Sequence, residues 1–195
     1  MTPSNPAVRI VPRWAGTPAH DWYPWLCGQV PNAAALTMPD PGRPTIAGWT
    51  AAIADGLRGE PGELTLVAHS VGVHAALHHL AALPEDASVR AAVLVAAWWD
   101  IDPAFWASLG MPWSAIDPWI DYPLDFERAR ARVGAIEVLI ADDDPFPRSS
   151  LAETAALWER RLGAKVRVCP GRRHFNAAQE PDVLAAVRRV LGAGQ

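Results

Sequence analysis

The sequence predicts an α/β fold in which a parallel sheet of about six strands carries helices on both faces. Short apolar, β-branched runs recur along the chain and alternate with longer segments of helical periodicity. Strands joined in this way need crossover connections, which make them parallel and bury the sheet on both sides. The length of 195 residues suits one domain with a substantial core. We therefore expect residues 1–195 to form a single domain.

The predicted elements follow one another in regular order. Strands are expected at residues 8–12, 33–38, 64–67, 89–97, 136–141 and 165–169. Helices are expected at 20–30, 45–57, from 71 until Pro84, and at 126–133, 149–162 and 181–191. Thr45 is a predicted N-cap, because a threonine ahead of an apolar run accepts a hydrogen bond from a free helical N–H. Residues 98–125 interrupt the alternation, and we expect an irregular, flap-like insertion rather than a full cap domain.

Composition excludes several classes of function. A net charge of -4 argues against a nucleic-acid surface, which needs a basic stripe. The chain has neither a signal-peptide pattern at its start nor an apolar run long enough to span a membrane. Cys27 and Cys169 lie outside any metal-binding spacing. We expect a cytoplasmic protein with no cofactor, no metal, and no nucleic-acid or membrane partner.

The most informative stretch is residues 64–80, LTLVAHSVGVHAALHHL. A buried strand turns directly into an Ala-rich helix around Ser70, which is typical of the nucleophile elbow G-x-S-x-G of α/β-hydrolases. Strand and helix approach closely at such a turn, so the flanking positions must be small. Here they are Ala68 and Gly72. The alternative interpretation is an ordinary buried turn with an incidental serine.

A serine hydroxyl is a weak nucleophile until a base takes its proton and a carboxylate orients that base. In α/β-hydrolases the chain order is serine, acid, histidine. Ser70, Asp144 and His174 have this order, and each follows a predicted strand. Because the carboxyl ends of parallel strands share one edge of the sheet, we expect the three side chains to converge there. The alternative for His174 is a surface histidine in a loop.

Other residues compete for these roles. Asp142 and Asp143 precede Asp144, which is favoured because the following proline biases it toward an extended conformation. Asp100 and Asp102, just beyond the fourth strand, are the fallback acids.

The remaining histidines suit the role of base less well. His69 adjoins the serine and is expected to pack or to orient its neighbours locally. His74 and His78 lie four residues apart on the predicted helix, without the carboxylate pattern of a metal site.

Four stretches together carry a family resemblance: RWAGTPAHDWYPWL, AHSVG, ADDDPFP and RRHFN. With this order and spacing, the chain resembles the small serine hydrolases related to retinoblastoma-binding protein 9, which are single-domain α/β-hydrolases. The resemblance implies Ser70 as nucleophile, Asp144 as acid and His174 as base. It also implies that the backbone amides of Trp14 and Val71 form the oxyanion hole.

The sequence departs from this family pattern at three places. Pro12-Arg13 replaces a His-Gly-like turn, Ala68 replaces the first elbow glycine, and Arg173 replaces the glycine before the histidine. The first departure matters most for catalysis, because it bears on the position of the Trp14 amide. Removal of one oxyanion donor costs about a hundredfold or more in turnover.

Ten tryptophans are present, and five of them fall between residues 98 and 119. We expect Trp98, Trp99 and Trp106 to line an apolar substrate pocket beneath the flap. The alternative is that these rings simply cover the sheet. The sequence thus predicts a serine hydrolase that cleaves a carboxylic ester or amide of a small acyl substrate. The rival hypothesis is a hydrolase-like protein of weak or no activity that binds a peptide or protein.

Overall fold

A parallel sheet forms the centre of the computed structural model, which describes residues 6–59 and 64–192. The strands are β1 (Val8–Val11), β2 (Ala33–Ala35), β3 (Thr65–His69), β4 (Val89–Val95), β5 (Val133–Ala141) and β6 (Lys165–Cys169). Within the described residues these six strands pair in parallel, in the order β2-β1-β3-β4-β5-β6. The predicted fold class is therefore confirmed.

Helices cover both faces of this sheet. They are α1 (Tyr23–Gln29), α2 (Ile46–Gly56), α3 (Val71–Ala82), α4 (Pro103–Ser108), α5 (Trp113–Asp121), α6 (Phe126–Ala131), α7 (Leu151–Leu162) and α8 (Pro181–Gly192). The side chains of α1 and α8 pack in one apolar cluster, and those of α2, α3, α6 and α7 in another. Along β4, Ala92 and Leu94 belong to the second cluster while Val93 belongs to the first. This alternation follows from the two-residue period of a strand and gives the sheet two buried faces.

Most element boundaries lie close to the predicted ones. The side chain of Thr45 accepts a hydrogen bond from the Gly48 N–H at 3.2 Å, as an N-cap should. β2 ends at Ala35, earlier than predicted, although the Leu36 N–H still donates to the Ile10 carbonyl of β1 at 2.8 Å. β5 begins at Val133 rather than at residue 136, because the preceding helix already ends at Ala131.

The segment 98–125 differs from its prediction. We expected it to be irregular, but it contains the short helices α4 and α5. Asp102 explains the first of these, since its carboxylate caps α4 by accepting from the Phe105 N–H at 2.7 Å. Ile116 and Trp119 on α5 are buried in the same cluster as α2 and α3. The segment therefore packs onto the body of the protein. No helix in the described ranges is long and apolar enough to cross a membrane.

Candidate active site

Ser70 lies on a sharp turn between the central strand β3 and helix α3. Its backbone has φ 55° and ψ -124°, a strained conformation for a residue with a side chain. The helix starts so close to β1 that a Cβ at Gly72 would come within 2.5 Å of the Pro12 carbonyl oxygen. Glycine is therefore required at that position. Ala68 is fully buried and fits, so its extra methyl group is accommodated on the strand side.

The structure brings Ser70, His174 and Asp144 into one hydrogen-bonded chain. His174 Nε2 lies 2.8 Å from Ser70 Oγ, and His174 Nδ1 lies 2.9 Å from Asp144 Oδ2. Because a carboxylate can only accept, Nδ1–H donates to Asp144, so Nε2 is the ring nitrogen placed to accept from the serine hydroxyl. Ser70 and His174 are each only 6% exposed. This arrangement can take a proton from the serine and stabilise the resulting imidazolium.

Three consecutive aspartates hold three positions of the loop that carries the histidine. Asp142 accepts from the Gly171 N–H at 2.8 Å, and Asp143 accepts from the Arg173 N–H at 2.6 Å. Asp144 alone of the three reaches the imidazole ring, at the position that the following proline favoured. We call residues 142–144 and 171–174 together the aspartate clamp.

The two fallback acids have other partners. Asp100 accepts from both the N–H and the hydroxyl of Ser149, at 3.1 and 2.7 Å. Asp102 caps α4 through the Phe105 N–H. Neither arrangement points a carboxylate at His174, which leaves Asp144 as the acid that the geometry supports.

A second hydrogen-bonded chain fixes the backbone of the histidine, and sequence reasoning missed it. His69 Nε2–H donates to the carbonyl of His174 at 2.8 Å, so His69 Nδ1 accepts from the Tyr23 hydroxyl, also at 2.8 Å. The Tyr23 oxygen in turn accepts from the Arg13 N–H at 3.0 Å. Burial lowers the pKa of His69 well below its ordinary value and raises that of Tyr23. Both groups are therefore neutral, as this pattern of donors requires.

The turn after β1 has the amide that the family resemblance assigns to the oxyanion hole. Trp14 and Val71 both line the cavity into which Ser70 opens. Val71 is the first residue of α3, so its N–H has no acceptor within the helix. The Arg13 guanidinium binds the Asp21 carboxylate at 2.6 Å and the Trp14 carbonyl at 2.8 Å. The Pro12-Arg13 turn, which replaces the His-Gly-like turn of the family pattern, is therefore held by contacts of the Arg13 side chain.

The cavity next to Ser70 has a volume of about 270 Å³ and is mostly apolar. Trp98 and Trp106 line it, and Trp98 Nε1–H donates to Ser70 Oγ at 3.3 Å. The ring of His74 lies against Trp98, with centroids 4.0 Å apart, and burial lowers the pKa of His74 to about 4. His74 is therefore a neutral support for the tryptophan.

Trp99 lies elsewhere, and its predicted place in the pocket is corrected by the structure. Its ring packs against Phe126 and Trp158, with centroids 5.3 and 6.4 Å away. Adjacent residues point in different directions, so Trp98 faces the serine while Trp99 contributes to the core beneath α6 and α7. Across the described ranges, no group of three or more His, Cys, Asp or Glu side chains could hold a metal ion.

A strained serine between a central parallel strand and a helix, followed in the chain by an acid and then a histidine, is typical of α/β-hydrolases. This chain has that order at the carboxyl ends of the strands of a parallel sheet, and it is an α/β-hydrolase by fold. The sequence profile of the serine hydrolase family matches residues 8–192, and the chain belongs to that family. The resemblance to small serine hydrolases is thus confirmed. Comparison with curated proteins found no match.

Solved structures show the same fold at low sequence identity. The ydeN gene product of Bacillus subtilis is 20% identical, with a TM-score of 0.82 over 95% of this chain and 98% of that chain. Mouse α/β-hydrolase domain-containing protein 10 is 14% identical, with a TM-score of 0.69 over 100% and 93%. The carboxylesterase CesB (YbfK) of Bacillus subtilis is 13% identical, with a TM-score of 0.64 over 99% and 86%. At such identities the similarity concerns the fold.

Proposed function

We propose that this serine hydrolase cleaves carboxylic esters of small apolar acyl compounds through an acyl-enzyme on Ser70. The observation that carries the proposal is the Ser70–His174–Asp144 chain, whose two hydrogen bonds of 2.8 and 2.9 Å lie in a buried site. The apolar cavity beside Ser70 supports an uncharged acyl group as substrate.

In the proposed reaction, Ser70 Oγ attacks the ester carbonyl carbon while its proton moves to His174 Nε2. Asp144 keeps the ring in the required tautomer and stabilises the imidazolium. The amides of Trp14 and Val71 donate to the oxyanion of the tetrahedral intermediate. The intermediate collapses, the alcohol leaves with the proton from Nε2, and the acyl group stays on Oγ. Water then gives a proton to His174, attacks the acyl carbon and releases the carboxylic acid, and the proton returns to Oγ.

Amide cleavage would use the same groups and differs in the leaving group that must be protonated. The carboxylesterase CesB, which shares the fold at 13% identity, makes esters the first substrates to test. The rival hypothesis is an inactive binding module, and such a protein would not need the complete set of hydrogen bonds that links Ser70 through His174 to Asp144. The present geometry therefore favours an enzyme.

A fluorophosphonate probe tests the proposal, because it reacts covalently with activated serines. We expect the wild-type protein to be labelled at Ser70, as mapped by mass spectrometry. Ser70→Ala and His174→Ala, shown by circular dichroism to be folded, should remain unlabelled. A folded wild-type protein that does not react would contradict the proposal and favour the binding module. Matched p-nitrophenyl esters and p-nitroanilides then separate ester from amide cleavage.

A further inference from the structure

A second apolar cavity adjoins the one that contains Ser70. It has a volume of about 690 Å³ and lies between the loop that leads into α2 and the helix α5. We call it the α5 groove. Its lining includes Trp14, Pro44, Ile46, Met111, Pro118 and Trp119. These side chains offer hydrocarbon and aromatic surface to an occupant.

Trp14 forms the boundary between the two cavities, since it lines both of them. Its indole Nε1–H donates to the Gly42 carbonyl at 3.1 Å, and its ring meets Trp106 edge-on at 5.5 Å. Helix α5 lies beside the same boundary, with Ile116 lining the Ser70 cavity and Ala115 the α5 groove. The two spaces are therefore neighbours across one tryptophan side chain.

Size indicates that the Ser70 cavity is only part of the substrate site. Pockets that enclose small molecules usually measure roughly 300–1,000 Å³. The Ser70 cavity alone, at about 270 Å³, is at the lower end of this range. Together with the α5 groove it falls within the range.

The position of the groove indicates which part of an ester would occupy it. The leaving alcohol must take its proton from His174 Nε2, so it leaves on the side of His174. On that side, another cavity of about 510 Å³ is lined by His174, Arg173 and Asn176. The α5 groove is lined by Trp14 and not by His174. The acyl chain is thus the part of the substrate that points toward it.

We propose that the α5 groove binds the hydrocarbon tail of the acyl group, so that the enzyme prefers medium-chain acyl esters over acetyl esters. This inference rests on the proposed ester hydrolysis at Ser70. Each methylene that enters the groove loses contact with water, which corresponds to about a fourfold gain in kcat/KM until the groove is full.

The test compares p-nitrophenyl acetate, butyrate and octanoate, which share one leaving group. For the wild type we expect kcat/KM to rise from acetate to octanoate. Ala115→Trp adds an indole at a residue that lines the α5 groove and not the Ser70 cavity. It should lower kcat/KM for octanoate at least about tenfold and leave acetate within about twofold. Ala107→Trp, on the exposed face of α4, is the matched control and should change neither value.

The outcomes separate this inference from the proposed function. If the wild type reacts with the fluorophosphonate and cleaves acetate without preferring octanoate, the ester hydrolase stands and the groove assignment is overturned. An equal loss for both esters in Ala115→Trp, with the protein folded, overturns it as well. If the wild type neither reacts with the probe nor cleaves any of the three esters, the function itself fails and the inference fails with it.

Discussion

Two regions meet at Ser70, and they are held together by different forces. The aspartate clamp is polar, and each of its three carboxylates binds one position of the histidine loop. The segment 98–125 is aromatic, and it is held by ring contacts such as Trp106 on Trp14 and Trp119 on Trp49. Hydrogen bonds are directional and fix reacting atoms, whereas apolar burial is non-directional and defines a volume. Substitutions in the clamp should therefore affect turnover, and those in the segment should affect stability or substrate choice.

The largest expected effect is in the clamp, at Asp144. In Asp144→Asn the amide no longer holds the histidine in the tautomer that accepts from serine, and kcat should fall about 10³- to 10⁴-fold. The assay is hydrolysis of p-nitrophenyl acetate, with circular dichroism to establish folding. Asp100→Asn is the matched control, because that carboxylate binds Ser149 instead. Greater damage from Asp100→Asn than from Asp144→Asn would overturn the assignment of the acid.

A smaller effect is expected at Tyr23, which supports the aspartate clamp through His69. Tyr23→Phe keeps the ring but removes the hydroxyl that links the Arg13 amide to His69. The Arg13 N–H before Trp14 loses its acceptor, and His69, which holds the histidine loop, loses its donor. We therefore expect kcat to fall about tenfold, which is less than for loss of an oxyanion donor itself. KM for p-nitrophenyl acetate should change little, since the acyl cavity is intact.

Tyr122→Phe is the control for this change, because the Tyr122 side chain is 53% exposed. Its kinetics on the acetate ester should match those of the wild type. If Tyr23→Phe raised KM and left kcat unchanged, the chain through His69 would have no part in positioning the reacting groups.

The smallest effect on activity is expected in the aromatic segment, at Trp99. Trp99→Leu removes contacts with Phe126 and Trp158 and should lower the free energy of unfolding by about 2 kcal/mol. Urea denaturation measures this loss, and kcat/KM for the acetate ester should stay within about twofold. A change in acyl-chain preference would instead place Trp99 at the substrate site.

Sequence reasoning could predict the sheet and the reacting groups because both depend on local patterns. Apolar runs mark strands, and Ser70, Asp144 and His174 each follow one, so the topology of a parallel sheet brings them together. The contacts of His69 join residues that are 46 and 105 positions apart in the chain, and no periodicity encodes them. The sequence also could not predict the directions of the Trp98 and Trp99 side chains, because these depend on how the segment packs.

β6 is the last strand in the chain, which has a consequence for the timing of synthesis. His174 follows that last strand and lies 104 residues beyond Ser70 in the chain. At roughly 5–20 residues per second, a ribosome makes the serine about 5–20 s before it makes the histidine. During that interval the nascent chain carries a serine with no base to activate it. Ser70 of the nascent protein should therefore remain unreactive until the final strand has joined the sheet.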